Sequence, residues 1–560
     1  VTVGRTNKRL ALFMGLAIVF LAVLLGRTFY VQVIAAPALQ EKGEGQSLRS
    51  IALEAPRGTI YDRDGQALAV SQTMASVYAN PRQVEGPAGA AKMLASILEV
   101  PEQDLVEKLS ADSGFRYLAR RVEQSVGKQV QALVEEEDLT GIGVCPEVKR
   151  VYPKGALAPQ LLGLVGGDDY AGLAGLELEY EDLLAGLPGA QQIISGHEGN
   201  RLSTVSVREA EAGADIVLAI DADIQYETEK ILTEVVREFQ AAKACAVVLD
   251  PSTGEIIAMA NTPVFDANRY ASGDIAESDR RNMAVTDQYE PGSTFKMVTT
   301  AAALEAGLVT PETTFRLGKS ITVYDVTIHE AHEEGVPEVR DLTVTEILAQ
   351  SSNVGTVKLG LEVGKTRLVE MIGKFGFTEK LGVDFPGETG GQMLPAKKWS
   401  GTTIANVPIG HGVAVSPLQL AAAYAAIAND GVLIQPHLAK GRTEPWSRRV
   451  VSEDVAAQLR RMLTVTVDDG TGKLARVAGY KVAGKTGTAQ KVKEGGGYHQ
   501  DHVVASFVGM VPADSPRLVI LVTVDDPATQ HLGAYVAAPA FADIAAFSLR
   551  ALGIPPTPVE

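Results

Sequence analysis

A serine and a lysine three residues apart, Ser293 and Lys296 in Glu290-Pro291-Gly292-Ser293-Thr294-Phe295-Lys296, open a stretch of helical pattern. At that spacing the two side chains share one face, a turn apart. A serine hydroxyl becomes a nucleophile when a neighbouring base takes its proton, and a lysine serves as that base only in its neutral form. Burial beside Phe295 and Met297, or a second cation nearby, would lower the amine's pKa in the required direction. The pair alone carries little weight. A chain of this length contains roughly two Ser-x-x-Lys by chance, and a capping serine with a surface lysine reads the same way.

Two further constellations sharpen the reading. Ser351-Ser352-Asn353 falls between the helical runs Leu342 to Gln350 and Val354 to Leu361. Ser351 and Asn353 offer a hydroxyl and an amide on one loop, able to pass a proton and to hold a carbonyl. By itself it is also an ordinary helix cap. Val482-Ala483-Gly484-Lys485-Thr486-Gly487-Thr488-Ala489 reads as a strand. There Gly487 would let a substrate backbone come close, and Lys485, Thr486 and Thr488 would receive a carboxylate. A bare glycine-bearing strand gives the same pattern, but Lys-Thr-Gly arises by chance only about a tenth of a time in such a chain.

These residues need a scaffold, and the pattern supplies one. Strands are expected at 214–220, 246–249, 255–259, 503–511 and 518–524, and helices at 224–242, 296–306, 343–373 and 416–429. Asp221 or Asp223 can cap the first of those helices. Terminal strands bracketing a helical middle predict one α+β domain over 214–552, its sheet built from both ends. Upstream, 59–70 reads as a β-hairpin around Asp64-Gly65, 88–139 as mostly helix, and the Gly- and Pro-punctuated 141–199 as a loop-rich connection. The acidic run Glu135 to Asp138 reads as a solvated face.

With 46% hydrophobic and 21% charged residues in 560, the chain is neither a disordered tail nor a fibre. Its net charge of −17 argues against a nucleic-acid partner. Cys145 and Cys245, its two cysteines, exclude a disulfide scaffold and a four-cysteine zinc site. Leu10 to Gly26 is a run of 17 uncharged residues preceded by Arg5, Lys8 and Arg9. This predicts a membrane anchor over 10–36 with a cytoplasmic end at 1–9 and an extracytoplasmic bulk; the rival is a signal peptide cleaved near Ala36 or Ala38. His329-Glu330-Ala331-His332 and His499-Gln500-Asp501-His502 lack the His-Glu-x-x-His zinc pattern and read as solvated loop histidines. No metal or cofactor is expected.

Taken in order, Ser-x-x-Lys opening a helix, Ser-x-Asn after a helix and Lys-Thr-Gly on a late strand are the elements of the penicillin-recognising serine enzymes. The chain resembles the class B penicillin-binding proteins, monofunctional D,D-transpeptidases of bacterial walls. The resemblance extends to Arg57-Gly58-Thr59-Ile60-Tyr61-Asp62-Arg63-Asp64-Gly65 in a pedestal over 37–213 that precedes the transpeptidase domain. Tyr289 to Lys296, Ser416 to Leu420 and Gly479 to Gln490 look like the division and sporulation branch. His411, between Gly410 and Gly412, stands where relatives often carry Tyr or Gln, so its role is open, with a structural one expected.

The resemblance implies a penicillin-binding, serine β-lactamase-like fold and a substrate ending in D-Ala-D-Ala. It implies Ser293 as nucleophile and Lys296 as base, with Ser351 relaying a proton and Asn353 holding the donor amide. Lys485, Thr486 and Thr488 would bind the terminal carboxylate, and the backbone N–H groups of Ser293 and Thr488 would form the oxyanion hole. Its implied partners are stem peptides, a lipid-linked precursor, β-lactams, other division proteins and a glycan polymerase of the shape, elongation, division and sporulation family. Its implied location is the bacterial inner membrane at the septum, as a single-pass protein. Two alternatives stand beside this: a β-lactamase or β-lactam sensor, since class D enzymes share Ser-Thr-Phe-Lys, and a division scaffold whose catalysis is dispensable. A short Pro-rich tail is expected over 553–560.

Overall fold

The computed structural model describes residues 3–35, 48–166, 170–195, 201–270, 272–331, 337–441, 444–493 and 495–556. Ala36, Ala38, His332 and the end of the tail, 557–560, lie outside the described residues. The first element, α1 (Val3–Phe29), runs on through a π-helical turn at Tyr30–Ile34. Its segment Asn7–Ile34 has a mean hydropathy of 2.4 and is long and apolar enough to cross a membrane. Side chains from Asn7 to Ile34 are exposed around the whole circumference, as an element facing lipid requires.

The chain divides into two compact units. The first comprises residues up to Pro56, Gln72–Lys149 and Gly186–Gly213. Within it Leu48–Leu53, Gly189–Ser195 and Arg201–Arg208 form a three-stranded antiparallel sheet. The helices Pro87–Leu98, Glu102–Leu109 and Gln124–Glu136 enclose a core that includes Leu94, Leu105 and Val130. The expected helical stretch is interrupted by a strand, Arg116–Val122, paired with Ala75 to Ala79. Leu118 enters the core there while its neighbours stay exposed or half-buried, and the ladder outweighs helix propensity. The supposed loop region also contains a ten-residue strand, Ile142–Val151. Glu135 to Asp138 is exposed, as the charge run implied.

The second unit contains 57–71, 150–185 and everything from Ala214 onward. The expected strand at 214–220 is reduced to Ile216–Val217, parallel to Ile60–Tyr61; the Leu218 N–H still donates to the Tyr61 carbonyl, but the Ala219 N–H donates to the Leu438 carbonyl and the Val217 carbonyl accepts from the Lys440 N–H instead. Helix α2 (Ala222–Phe239) follows, capped by Asp221, whose carboxylate accepts from the backbone N–H of Asp223 at 3.1 Å and of Ile224 at 3.0 Å. Then come β1 (Lys243–Leu249) and β2 (Ile256–Thr262), and after the helical middle β3 (Ala483–Val492), β4 (Tyr498–Val511) and β5 (Leu518–Asp525). They make one antiparallel sheet of order β2-β1-β5-β4-β3, drawn from both ends of the segment. His499 and His502 thus sit on a strand rather than in a loop.

The sheet has two buried faces, and the period of two sorts its residues between them. Ala244, Ala246 and Val248 pack with α2 and the C-terminal helix Gly533–Ala551. Cys245, Val247 and Leu249 pack with the helical middle. That middle contains α3 (Lys296–Glu305), α4 (Val344–Ala349), α5 (Asn353–Val363) and the wholly buried α6 (Pro417–Ala428). The layer of helices against β3 is what positions the chemistry.

Candidate active site

Ser293 lies in a 3₁₀ turn, Gly292–Phe295, that runs directly into α3. Three elements grip this turn. Tyr424 of α6 donates its hydroxyl to the Thr294 carbonyl at 2.8 Å. The backbone N–H of Gly292 donates to the Gly410 carbonyl at 3.2 Å. On β3, a Cβ at Gly487 would lie 2.9 Å from Thr294 Cγ2 and 3.1 Å from the Pro291 carbonyl oxygen. The space that Gly487 leaves open is therefore filled by the nucleophile's own turn, a tighter reason for glycine than an approaching substrate.

Lys296, the first residue of α3, is fully buried. Its Nζ donates to the Ser351 carbonyl at 2.5 Å and to Asn353 Oδ1 at 2.6 Å, and lies 3.2 Å from Ser351 Oγ. Two carbonyl-type acceptors satisfy the two N–H bonds of a neutral amine and leave its lone pair free for a hydroxyl proton. Burial lowers the Lys296 pKa to about 7 against the opposing pull of the Glu330 carboxylate.

The Ser351-Ser352-Asn353 motif forms the turn between α4 and α5. Ser351 holds a left-handed backbone, φ 60°, unusual for a residue with a side chain. This turns its carbonyl and its hydroxyl toward the same amine. Ser352 is the helix cap, accepting from the Gly355 N–H at 3.0 Å. The cap and the chemistry are thus divided between neighbouring serines.

On β3, Lys485 is also fully buried, and its Nζ donates to the Thr486 carbonyl at 3.3 Å and to Thr486 Oγ1 at 3.4 Å. Among the described residues it has no carboxylate partner. Burial and the neighbouring Lys296 hold its pKa well below the usual lysine range. Thr486 Oγ1 lies 2.9 Å from Thr471 Oγ1, and Thr488 Oγ1 accepts from the Gly533 N–H at 3.1 Å. The geometry thus brings Lys296, Ser351 and Asn353 into direct hydrogen bonds and sets Lys485 within electrostatic reach of them.

Two carboxylates escaped the sequence reading. Glu330 is buried, with Oε1 accepting from Ser352 Oγ at 2.6 Å and Oε2 from the Asn353 N–H at 2.7 Å. Lying between two histidines in a polar stretch, it carries no local signal of burial. His329 beside it is exposed, as expected, but it closes the strand Val326–His329 rather than lying in a loop. Glu290, three residues before Ser293, faces His411 Nδ1 at 3.1 Å and accepts from the Gly412 N–H at 2.8 Å and from Tyr498 Oη at 3.3 Å. His411 is thereby tied to the nucleophile's turn. A cavity of about 700 Å³ opens beside that turn, lined by Tyr289, Glu290, Gly412, Gln490 and Lys491 among others.

Known proteins resemble this chain over nearly its whole length. Residues 244–546 match the family model of the penicillin binding protein transpeptidase domain, and residues 52–218 that of the penicillin-binding protein dimerisation domain. The chain is 36% identical to the "Probable peptidoglycan D,D-transpeptidase PbpC" of Pseudomonas aeruginosa, over 99% of this chain and 96% of that protein. It is 33% identical to the "Peptidoglycan D,D-transpeptidase FtsI" of Escherichia coli K12, over 98% of this chain and 92% of the other. A crystal structure of penicillin binding protein 3 from Mycobacterium tuberculosis, complexed with aztreonam, superposes with a TM-score of 0.71 at 31% identity, covering 91% of this chain and 98% of the other.

Proposed function

The chain belongs to the class B penicillin-binding proteins, the serine-type peptidoglycan D,D-transpeptidases, and from that premise we propose that Ser293 and Lys296 carry its acyl transfer. Ser293 Oγ attacks the carbonyl carbon of the penultimate D-Ala while its proton passes to Lys296 Nζ. The oxygen of the tetrahedral adduct sits between the N–H groups of Ser293 and Thr488, where one such donor is worth about 2.7 to 4 kcal/mol to the transition state. The carbon–nitrogen bond breaks, Ser351 relays the proton to the leaving D-Ala amine, and an ester to Ser293 remains. An amine of a neighbouring stem attacks that ester, closes the cross-link and returns the proton to Ser293.

The terminal carboxylate binds at Lys485, Thr486 and Thr488. Its arrival favours the charged form of Lys485, and the new cation then holds Lys296 neutral, so the donor helps to prepare its own base. Asn353 orients Lys296 and the donor amide. The observation that carries this reading is the buried Lys296 amine, hydrogen-bonded to Ser351 and Asn353 one turn beyond Ser293.

Further parts of the reading rest on resemblance. The chain works in septal wall synthesis, anchored once in the inner membrane by α1 with its amino end in the cytoplasm. Its pedestal docks a membrane glycan polymerase and other division proteins. Similarity to FtsI supports this role.

The test is intact-protein mass spectrometry after exposure of the full chain to a labelled penicillin. A long-lived adduct on Ser293, absent from Ser293→Ala, is expected. A folded chain that takes no adduct, or takes it elsewhere, overturns the assignment; rapid turnover of the adduct would favour a β-lactamase instead.

A further inference from the structure

We infer that Glu330 is a positioning residue for the acylation step: its carboxylate braces the Ser351–Asn353 turn from behind and sets the basicity of the amine that turn holds. The inference rests on the reading of Lys296 as the base. Glu330 follows the strand Val326–His329, and its side chain is 4% exposed, so the carboxylate is shielded from solvent screening.

Both of its oxygens are committed. One accepts from Ser352 Oγ at 2.6 Å and from Arg340 Nη2 at 3.0 Å, and the other from the Asn353 N–H at 2.7 Å. The carbonyl of the preceding His329 accepts from Asn353 Nδ2 at 2.9 Å. Asn353 is thereby held at its backbone and at its amide nitrogen, which leaves Oδ1 as the end that faces Lys296 Nζ at 2.6 Å. Turned the other way, the amide would set its Oδ1 against the His329 carbonyl, two acceptors with no proton between them. Two hydrogen bonds therefore link the buried carboxylate to the buried amine through Asn353.

Among the described residues, the titratable side chains facing Lys296 are Glu330, from the end of the Val326–His329 strand, and Lys485, from β3, whose own amine burial and Lys296 hold well below the usual lysine range. Arg340, on the strand Val339–Thr343, stands against Glu330 and also donates through Nη1 to Gln350 Oε1 at 3.0 Å. Burial pushes the amine toward neutrality, and an amine pushed too far is a poor acceptor for a serine proton. The Glu330 carboxylate opposes it and keeps the base near the working pH, where general-base catalysis is most efficient.

The signs give a test. In Glu330→Gln the opposing charge is lost while an acceptor oxygen remains, so the Lys296 pKa falls. The acid limb of the acylation rate, followed from pH 5 to 9 with labelled penicillin on the full chain, should move about one unit lower. In Arg340→Gln the carboxylate loses its neutralising partner, so the limb should move higher. The rate at the plateau of Glu330→Gln should fall at least roughly tenfold, because Asn353 and Ser352 lose a charged acceptor.

Melting curves identify which variants fold. Opposed shifts, or the expected shift in whichever variant folds, support the inference. A limb that stays at its wild-type position in a folded variant overturns it, even if the plateau drops, because a merely structural brace would lower the plateau alone. Failure of the unaltered chain to acylate at all would instead strike at the assignment of Ser293 and Lys296.

Discussion

Lys296 is the residue on which the chemistry turns, and its burial makes a pH prediction unavoidable. Its pKa is lowered to about 7, so the amine is neutral and able to accept a proton above that value and is protonated below it. Acylation of Ser293 by a penicillin should therefore be near its plateau at pH 8 and fall about tenfold for each unit below the inflection. Stopped-flow or quenched labelling between pH 5 and 9 measures this directly; a rate that holds constant down to pH 5 removes Lys296 from the role of base. The same burial explains why the motif could be located in the sequence while its working state could not. Ser-x-x-Lys announces a serine and an amine on one face, but the amine's protonation depends on Ser351, Asn353, Glu330 and Lys485, which come from three distant segments.

Elements meet at the site through glycines whose missing side chains are sterically required. Gly410 has φ +86°, and a Cβ there would lie 2.1 Å from the Gly292 carbonyl oxygen, a backbone atom of the nucleophile's turn. Gly487 is less severe, since its nearest obstacle, at 2.4 Å, is the rotatable Ser506 hydroxyl. Gly410→Ala should therefore lower the acylation rate about a hundredfold by displacing Ser293, and lower the melting temperature as well. Gly487→Ala should cost less on both measures, and the reverse ranking would count against this account. Period made several elements legible, although the helices Glu453–Asp468 and Gly533–Ala551 were not among those expected. The helices around 296, 353 and 417 and four of the five strands of the main sheet follow from the pattern, and β3 from its motif. Arg116–Val122 and Ile142–Val151 escaped because each alternates weakly and is strand only by virtue of its partners.

At the scale of the whole molecule, the C-terminal unit captures two segments from far upstream, 57–71 and 150–185. Within that unit Arg57 and Arg150 converge on Glu177: Arg57 Nε meets one carboxylate oxygen at 3.0 Å and Arg150 Nε the other at 2.6 Å. All three are buried. Arg57 also pairs through Nη2 with Glu181 at 2.7 Å, whereas Glu177 is the one carboxylate partner of Arg150 among the described residues, so Glu177→Ala leaves a buried guanidinium unpaired and should cost about 3 to 5 kcal/mol. The expected readout is a melting midpoint several degrees lower, with penicillin acylation retained by the protein that remains folded. An unchanged midpoint would mean that the network contributes little to holding these segments.

By itself the sequence determined the membrane-length apolar helix, the α+β class with a sheet drawn from both ends of the C-terminal unit, and the identity of the three motifs. These are local properties: hydrophobic period, turn residues and the spacing of reactive groups survive without tertiary contacts. Only the tertiary structure decided that Ser352 rather than Ser351 caps α5, that Gly487 accommodates the turn bearing Ser293, and that Glu290 binds His411. It alone decided that Glu330, in an apparently solvated polar stretch, is buried behind Asn353. Burial and electrostatic potential are sums over everything packed nearby, and no window of neighbouring residues contains that sum.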